Sequence, residues 1–231
     1  VVCRRGLVDV PGHVELLAIL ARSGDERSFI EHYQLAPSPE IVFEPIGDVL
    51  AMEQDTDALD RLIHAHATRV PDDPLLDYYG ALVEQWRGYH AASVRRLEPH
   101  LDTLDGAQLT WFTTLYLDAM LVLERATEAY DRCIRTPDLA FTHLADVLVD
   151  HADLAGLAEL IELHRARAPG ATLLPLFEAE IAFAANDHLG TLDALARCDR
   201  WAVVNTERRV RYEFLQIRSL AGLRRWSEAL A

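Results

Sequence analysis

This chain of 231 residues is half hydrophobic and carries a formal net charge of -15; all 22 of its basic residues are arginines. So acidic a balance excludes nucleic-acid phosphates and anionic membrane surfaces as natural partners and favours neutral or cationic ones. Cys3, Cys133 and Cys198 lie far apart with no CxxC pair, which excludes zinc spacing and a disulfide framework; they predict buried free thiols and a reducing, cytoplasmic setting. No apolar run reaches membrane-spanning length.

In chain order the pattern is helical throughout. Pro11 to Arg22 reads as a helix closed by Gly24, and residues 26–34 as a short second one. Pro45 sits where the next helix belongs, so that helix is expected either to be kinked there or, in preference, to begin late, at Glu44–Pro45, and run over 45–53; residues 56–69 follow it, capped by Asp55. Residues 73–98 form the clearest hairpin. Leu76, Tyr79, Gly80 and Val83 share one face there, and Gly80 is expected to admit a close crossing opposite Ala92. Further pairs are predicted at 106–123 with 125–135, 139–151 with 153–167, and 172–186 with 188–198. Residues 205–223 open a last pair that stops at Ala231. The start at Val1–Val2 and this unfinished pair predict a piece cut from a longer protein. Val203–Val204 and Ile41 to Phe43 are too short to build a sheet.

Small residues mark a period. Ala58, Ala92, Ala129 and Ala158 follow at steps of 34, 37 and 29, and Thr191 then Ala229 continue at 33 and 38. Periods of this size mark stacked helix pairs. The expected organisation is one array over 1–231 with units at 11–37, 45–70, 73–99, 106–136, 139–169, 172–199 and 205–231.

Residues 75–99 carry Leu76, Tyr79, Gly80, Val83, Tyr89, Ala92 and Pro99 in an order that resembles the tetratricopeptide repeat family; Trp226 and Ala229 match in the terminal segment. The intervals depart from the family's regular spacing, and most units lack the glycine before the turn. The resemblance implies an all-α, right-handed superhelical solenoid of antiparallel helix pairs, whose first helices line a concave groove that binds peptides or proteins.

On that geometry the groove stripe is Asp77, Ala81 and Glu84; Thr114, Asp118 and Leu121 with Trp111 at the rim; His143, Val147 and Asp150; Leu176, Glu180 and Phe183; and Phe214, Arg218 and Ala221. The expected partner-binding residues are Asp77, Glu84, Trp111, Asp118, His143, Asp150, Glu180, Phe183 and Arg218. Their acidity suits a basic or amphipathic peptide and has the wrong sign for clasping a terminal carboxylate.

Chemistry is not indicated. His143, Asp146, Asp150, His151 and Asp153 form the densest group of potential ligands, but no HExxH is present and the group reads as caps and surface charge. His64 and His66 point apart on one helix, while His90, His100, His164 and His188 read as helix-end or surface residues. No nucleophile elbow or phosphate loop exists. The expected role is therefore a non-enzymatic scaffold without a cofactor or metal that binds a protein or peptide; self-association through the open C-terminal end is a further expectation. The alternatives are a ligand-sensing segment of a bacterial signalling kinase or transcription regulator and, further off, a glycosidase built as a helical toroid, which would need two convergent carboxylates.

Overall fold

The computed structural model describes residues 6–8, 10, 12–198, 206–225 and 228. The chain is all-α, with no strand among the described residues. It divides into two compact units, Val1–Leu123 and Glu124–Ala231. Unit 1 holds α1 (Val14–Arg22), α2 (Glu26–Gln34), α3 (Pro39–Met52), α4 (Thr56–Ala67), α5 (Pro74–Trp86), α6 (His90–Leu97), a 3-10 turn (Glu98–Asp102) and α7 (Gly106–Val122). Unit 2 holds α8 (Ala126–Arg132), α9 (Pro137–Asp150), α10 (Leu154–Arg167), α11 (Leu174–Ala184), α12 (His188–Arg197) and α13 (Thr206–Gly222). Within each unit consecutive helices pack as hairpins: α3 on α4 and α5 on α6 in unit 1, α9 on α10 and α11 on α12 in unit 2.

One turn recurs. Gly24, Gln54, Gly88, Glu124, Ala152 and Asn186, just ahead of the even-numbered helices, and Arg224 after α13 all have positive φ, between 54° and 80°. A left-handed residue of this kind ends a helix and reverses the chain. An aspartate follows in four of these turns and caps the next helix: Asp25, Asp55, Asp153 and Asp187 accept from the backbone N–H of Ser28, Ala58, Gly156 and Gly190 at 2.9–3.1 Å. This turn fixes the true register of the repeat. Ala58 and Ala92 are equivalent, but Glu128, Gly156 and Gly190, not Ala129, Ala158 and Thr191, are their counterparts. Ala229 lies outside the described residues, as do Cys3 and Trp226.

The helix expected to begin at Pro45 begins instead at Pro39, with Pro45 inside it. Pro39 occupies the first helical position, where its missing N–H is harmless. Pro45 lies on the exposed side of α3 near Ile41, itself 71 % exposed, where water can serve the carbonyl that a proline leaves unpaired. Gly80 also has a different cause from the one expected. A Cβ there would come within 3.1 Å of the Arg96 Nε, so the glycine makes room for an arginine and not for Ala92.

The cores of the two units share one aromatic arrangement. In unit 1, His66 stacks on Phe43 (ring centroids 3.8 Å apart, planes at 6°), Phe43 meets Tyr79 edge-on, and the Tyr33 hydroxyl lies 2.7 Å from His66 Nδ1. In unit 2, His164 stacks on Phe141 (4.0 Å, 4°), Phe141 meets Phe177 edge-on, and the Tyr130 hydroxyl lies 2.8 Å from His164 Nδ1. Arg69 donates to the carbonyl of Tyr33, and Arg167 donates to the carbonyl of Tyr130. The tyrosines stand 97 residues apart and the histidines 98 apart. At the second spacing Pro39, Asp48, Asp55, Ile63, Arg69 and Pro71 also recur, as Pro137, Asp146, Asp153, Ile161, Arg167 and Pro169. The chain is an internal duplication of three helix pairs. Both histidines are fully buried; His164 stands in the last turn of α10, at a helix end as expected, but with its side chain turned away from the surface. Cys133 and Cys198 are both buried, as expected.

Candidate functional site

The residues expected to line a groove are held on the first helix of each pair, and arginines of the same chain engage most of the acids among them. In unit 1, Arg96 of α6 reaches across Gly80 to Asp77 (2.9 Å) and Glu84 (2.8 Å), and His100 approaches the other oxygen of Asp77 at 2.8 Å. Asp118 is half-buried within α7. Trp111 is 37 % exposed and leans on Tyr78, the two ring centroids 6.5 Å apart. Ala81, counted in the stripe, belongs to the core.

In unit 2 the corresponding acids belong to a network centred on α13. Arg208 grips Asp146 at 2.6 Å, and Arg211 reaches Asp146 (3.3 Å), Asp150 (2.8 Å) and Glu180 (3.5 Å). Burial holds the Glu180 carboxyl above the usual carboxylate range, with Arg211 opposing the shift. His143 is half-buried on α9. Phe183 packs edge-on against Phe214, Arg218 extends over the Phe214 ring at 6.0 Å, and Leu176 is buried. The cluster of His143, Asp146, Asp150, His151 and Asp153 is therefore dispersed. Its aspartates serve arginines or cap α10, and His151 Nδ1 lies 2.9 Å from the Val147 carbonyl. Among the described residues no group of three or more His, Cys, Asp or Glu side chains could hold a metal, and no helix is long and apolar enough to cross a membrane.

The open surface of α13 carries exposed charges, Glu207, Arg209 and Arg218, together with three apolar residues. Val210, Phe214 and Ile217 follow one face and are 61 %, 52 % and 50 % exposed. Aligning the positive-φ residues Glu124 and Arg224 makes Thr110, Thr114 and Leu117 of α7 their counterparts, so the fold does not require apolar residues at the first two of these positions, while the third, Leu117, is buried in the core.

The duplicated histidines differ in their second nitrogen. His66 Nε2 lies 3.0 Å from Asp73, which also caps α5 through the Leu75 N–H. An ionised carboxylate there requires an N–H at Nε2, which leaves Nδ1 to accept from the Tyr33 hydroxyl. In unit 2, Ala171 stands at the position of Asp73. Among the described residues no group forms a hydrogen bond with His164 Nε2, although the atom is buried; the carboxylate of Asp138 is 3.5 Å away with its side chain 80 % exposed. A buried donor left without a partner costs about 1–3 kcal/mol. The ring lines a cavity of about 70 Å³ together with Asp138, Phe141, Thr142, Ala171 and Thr172. Sequence reasoning missed both histidines; the signal that marks them is the repetition of Tyr, Pro, Phe, His and Arg after 97 or 98 residues.

Comparison with known proteins found no matching family model, no similar curated protein and no similar solved structure.

Proposed function

We propose that this chain is a non-enzymatic helical-repeat module, tetratricopeptide-like in architecture, that grips a protein or peptide along its first helices. Helix pairs joined by one recurring turn support the reading, because such arrays extend a surface with each added pair. The observation that carries it is the pair of exposed apolar residues Val210 and Phe214 on α13, continued by Ile217 and flanked by Arg218, where α7 carries Thr110 and Thr114 at the first two positions and the buried Leu117 at the third. Exposed apolar residues gathered on one face mark contact surfaces.

The stripe also refines the partner. Asp77, Glu84, Asp150 and Glu180 already face arginines, so a basic peptide would have to displace charges that the chain supplies itself. An amphipathic peptide that buries apolar side chains against α13 meets no such competition.

Panning a displayed peptide library on the purified chain tests this reading. Amphipathic peptides are expected to enrich, and Phe214→Ala with Ile217→Ala should weaken them at least tenfold, since each buried side chain of this size contributes about 1.5–3 kcal/mol. Failure to enrich any peptide, or affinities indifferent to both changes, would overturn it.

A further inference from the structure

We propose that the cavity beside His164 is a binding site for a small monocarboxylate, of formate or acetate size, whose oxygen takes the place that the Asp73 carboxylate fills in unit 1. Three observations converge on it. The Tyr–His–Phe geometry is the same in the two units, so His164 Nε2 points where His66 Nε2 points. The Tyr130 hydroxyl meets Nδ1 at 2.8 Å as Tyr33 meets His66; in the tautomer that the Asp73 carboxylate selects in unit 1, the hydroxyl donates to Nδ1 and Nε2 carries the N–H. The residue that would supply the acceptor is Ala171, which ends at Cβ, and the cavity of about 70 Å³ opens at that point.

The surroundings suit one carboxylate and little more. Phe141 forms an apolar wall stacked on the imidazole, and Thr142 and Thr172 line the rest. The Thr142 hydroxyl already donates to the Asp138 carbonyl at 2.8 Å, which leaves its oxygen as an acceptor only. The donors that the lining side chains offer are therefore the imidazole N–H and the Thr172 hydroxyl. Asp138 is the repulsive neighbour, but its side chain stands largely in solvent, where its charge is screened. Arg167, lying over the Tyr130 ring at 4.6 Å, supplies the opposite charge from the other side of the histidine. Water could also serve the N–H, and the test separates the two.

The experiment follows the side-chain nitrogen resonances of His164 and His66 in the whole chain at pH 7.5 while sodium formate is added, with sodium chloride at matched ionic strength and pivalate as a bulky carboxylate. The expected result is a saturable shift of His164 with formate, half-complete at millimolar concentration as a three-atom ligand allows, while His66 stays still. Pivalate should fail, and Ala171→Asp, which supplies the carboxylate in cis, should abolish the response; Ala171→Asn serves the same purpose if the aspartate variant does not fold. A His164 signal that ignores formate, as a water-filled cavity gives, would overturn the proposal. So would an equal response to chloride or pivalate, or a response that survives in a folded Ala171 variant.

Discussion

Unit 1 and unit 2 bury the same aromatic frame and finish it with different polar groups. Unit 1 pairs Gly47 with Tyr79, whose hydroxyl donates to Asp48 (2.8 Å) and to the Glu44 carbonyl (3.0 Å). At the matching places unit 2 has Ala145, Phe177 and Asp146; with no tyrosine hydroxyl to accept from, Asp146 instead binds Arg208 and Arg211. Asp73 closes the buried histidine of unit 1, whereas its counterpart in unit 2 faces a cavity. The rings have kept their angles and the polar termini have diverged. Their energies account for this order: a buried aromatic contributes about 3–5 kcal/mol against truncation, while an exchanged hydrogen bond changes stability by about 1 kcal/mol.

The largest expected effect tests the shared frame. Phe43→Ala and Phe141→Ala should each cost about 3–5 kcal/mol in urea unfolding, and each should lower amide-exchange protection first in its own unit. Costs that differ by more than about 2 kcal/mol would break the equivalence of the two stacks.

A middle effect tests the divergence. A Cβ on Gly47 would lie 2.4 Å from the Tyr79 ring, so Gly47→Ala should destabilise unit 1 by about 1–3 kcal/mol. Adding Tyr79→Phe frees the ring from its hydroxyl anchor and recreates the Ala145–Phe177 pair of unit 2. The double variant should therefore recover part of the loss, a coupling that a double-mutant cycle reads directly. Strict additivity would show that the two substitutions diverged independently.

The smallest effect depends on pH. Burial lowers the His164 pKa, with Asp138 opposing and Arg167 reinforcing the shift, and the Tyr130 hydroxyl is the other titratable group on the ring. An unfolded chain therefore takes up its proton first as pH falls. The neutral ring's contribution is complete above about pH 6.5 and is lost progressively below it. The urea midpoint should fall between pH 7.5 and 5.5, and His164→Phe should flatten that dependence in exchange protection of α9 and α10. An unchanged slope in the variant would assign the dependence to other groups.

Much of the pairing scheme was legible in the sequence, because proline starts, aspartate caps and apolar periodicity are local. The misreadings share a physical cause, which is action at a distance along the chain. Asp146 and Asp150 look like free surface acids until Arg208 and Arg211, some sixty residues on, are folded against them. Gly80 looks like a helix crossing until Arg96 is laid over it. His164 sits near a helix end, where sequence alone suggests solvent, and only the Phe141 stack shows that the ring turns inward. The duplication escaped notice because small residues spaced by about one helix pair masked a longer period of three pairs. The aromatic residues carry that longer period.

Cys133 occupies the position of Ala36 in the other copy, directly behind the tyrosine of its stack, and burial pushes its thiol up to about 12. At neutral pH the sulfur is therefore both inaccessible and fully protonated, and it reacts with an alkylating reagent only while its surroundings are open. The native thiol is thus a built-in clock: its labelling rate measures how often the second copy breathes, with no probe added to the protein.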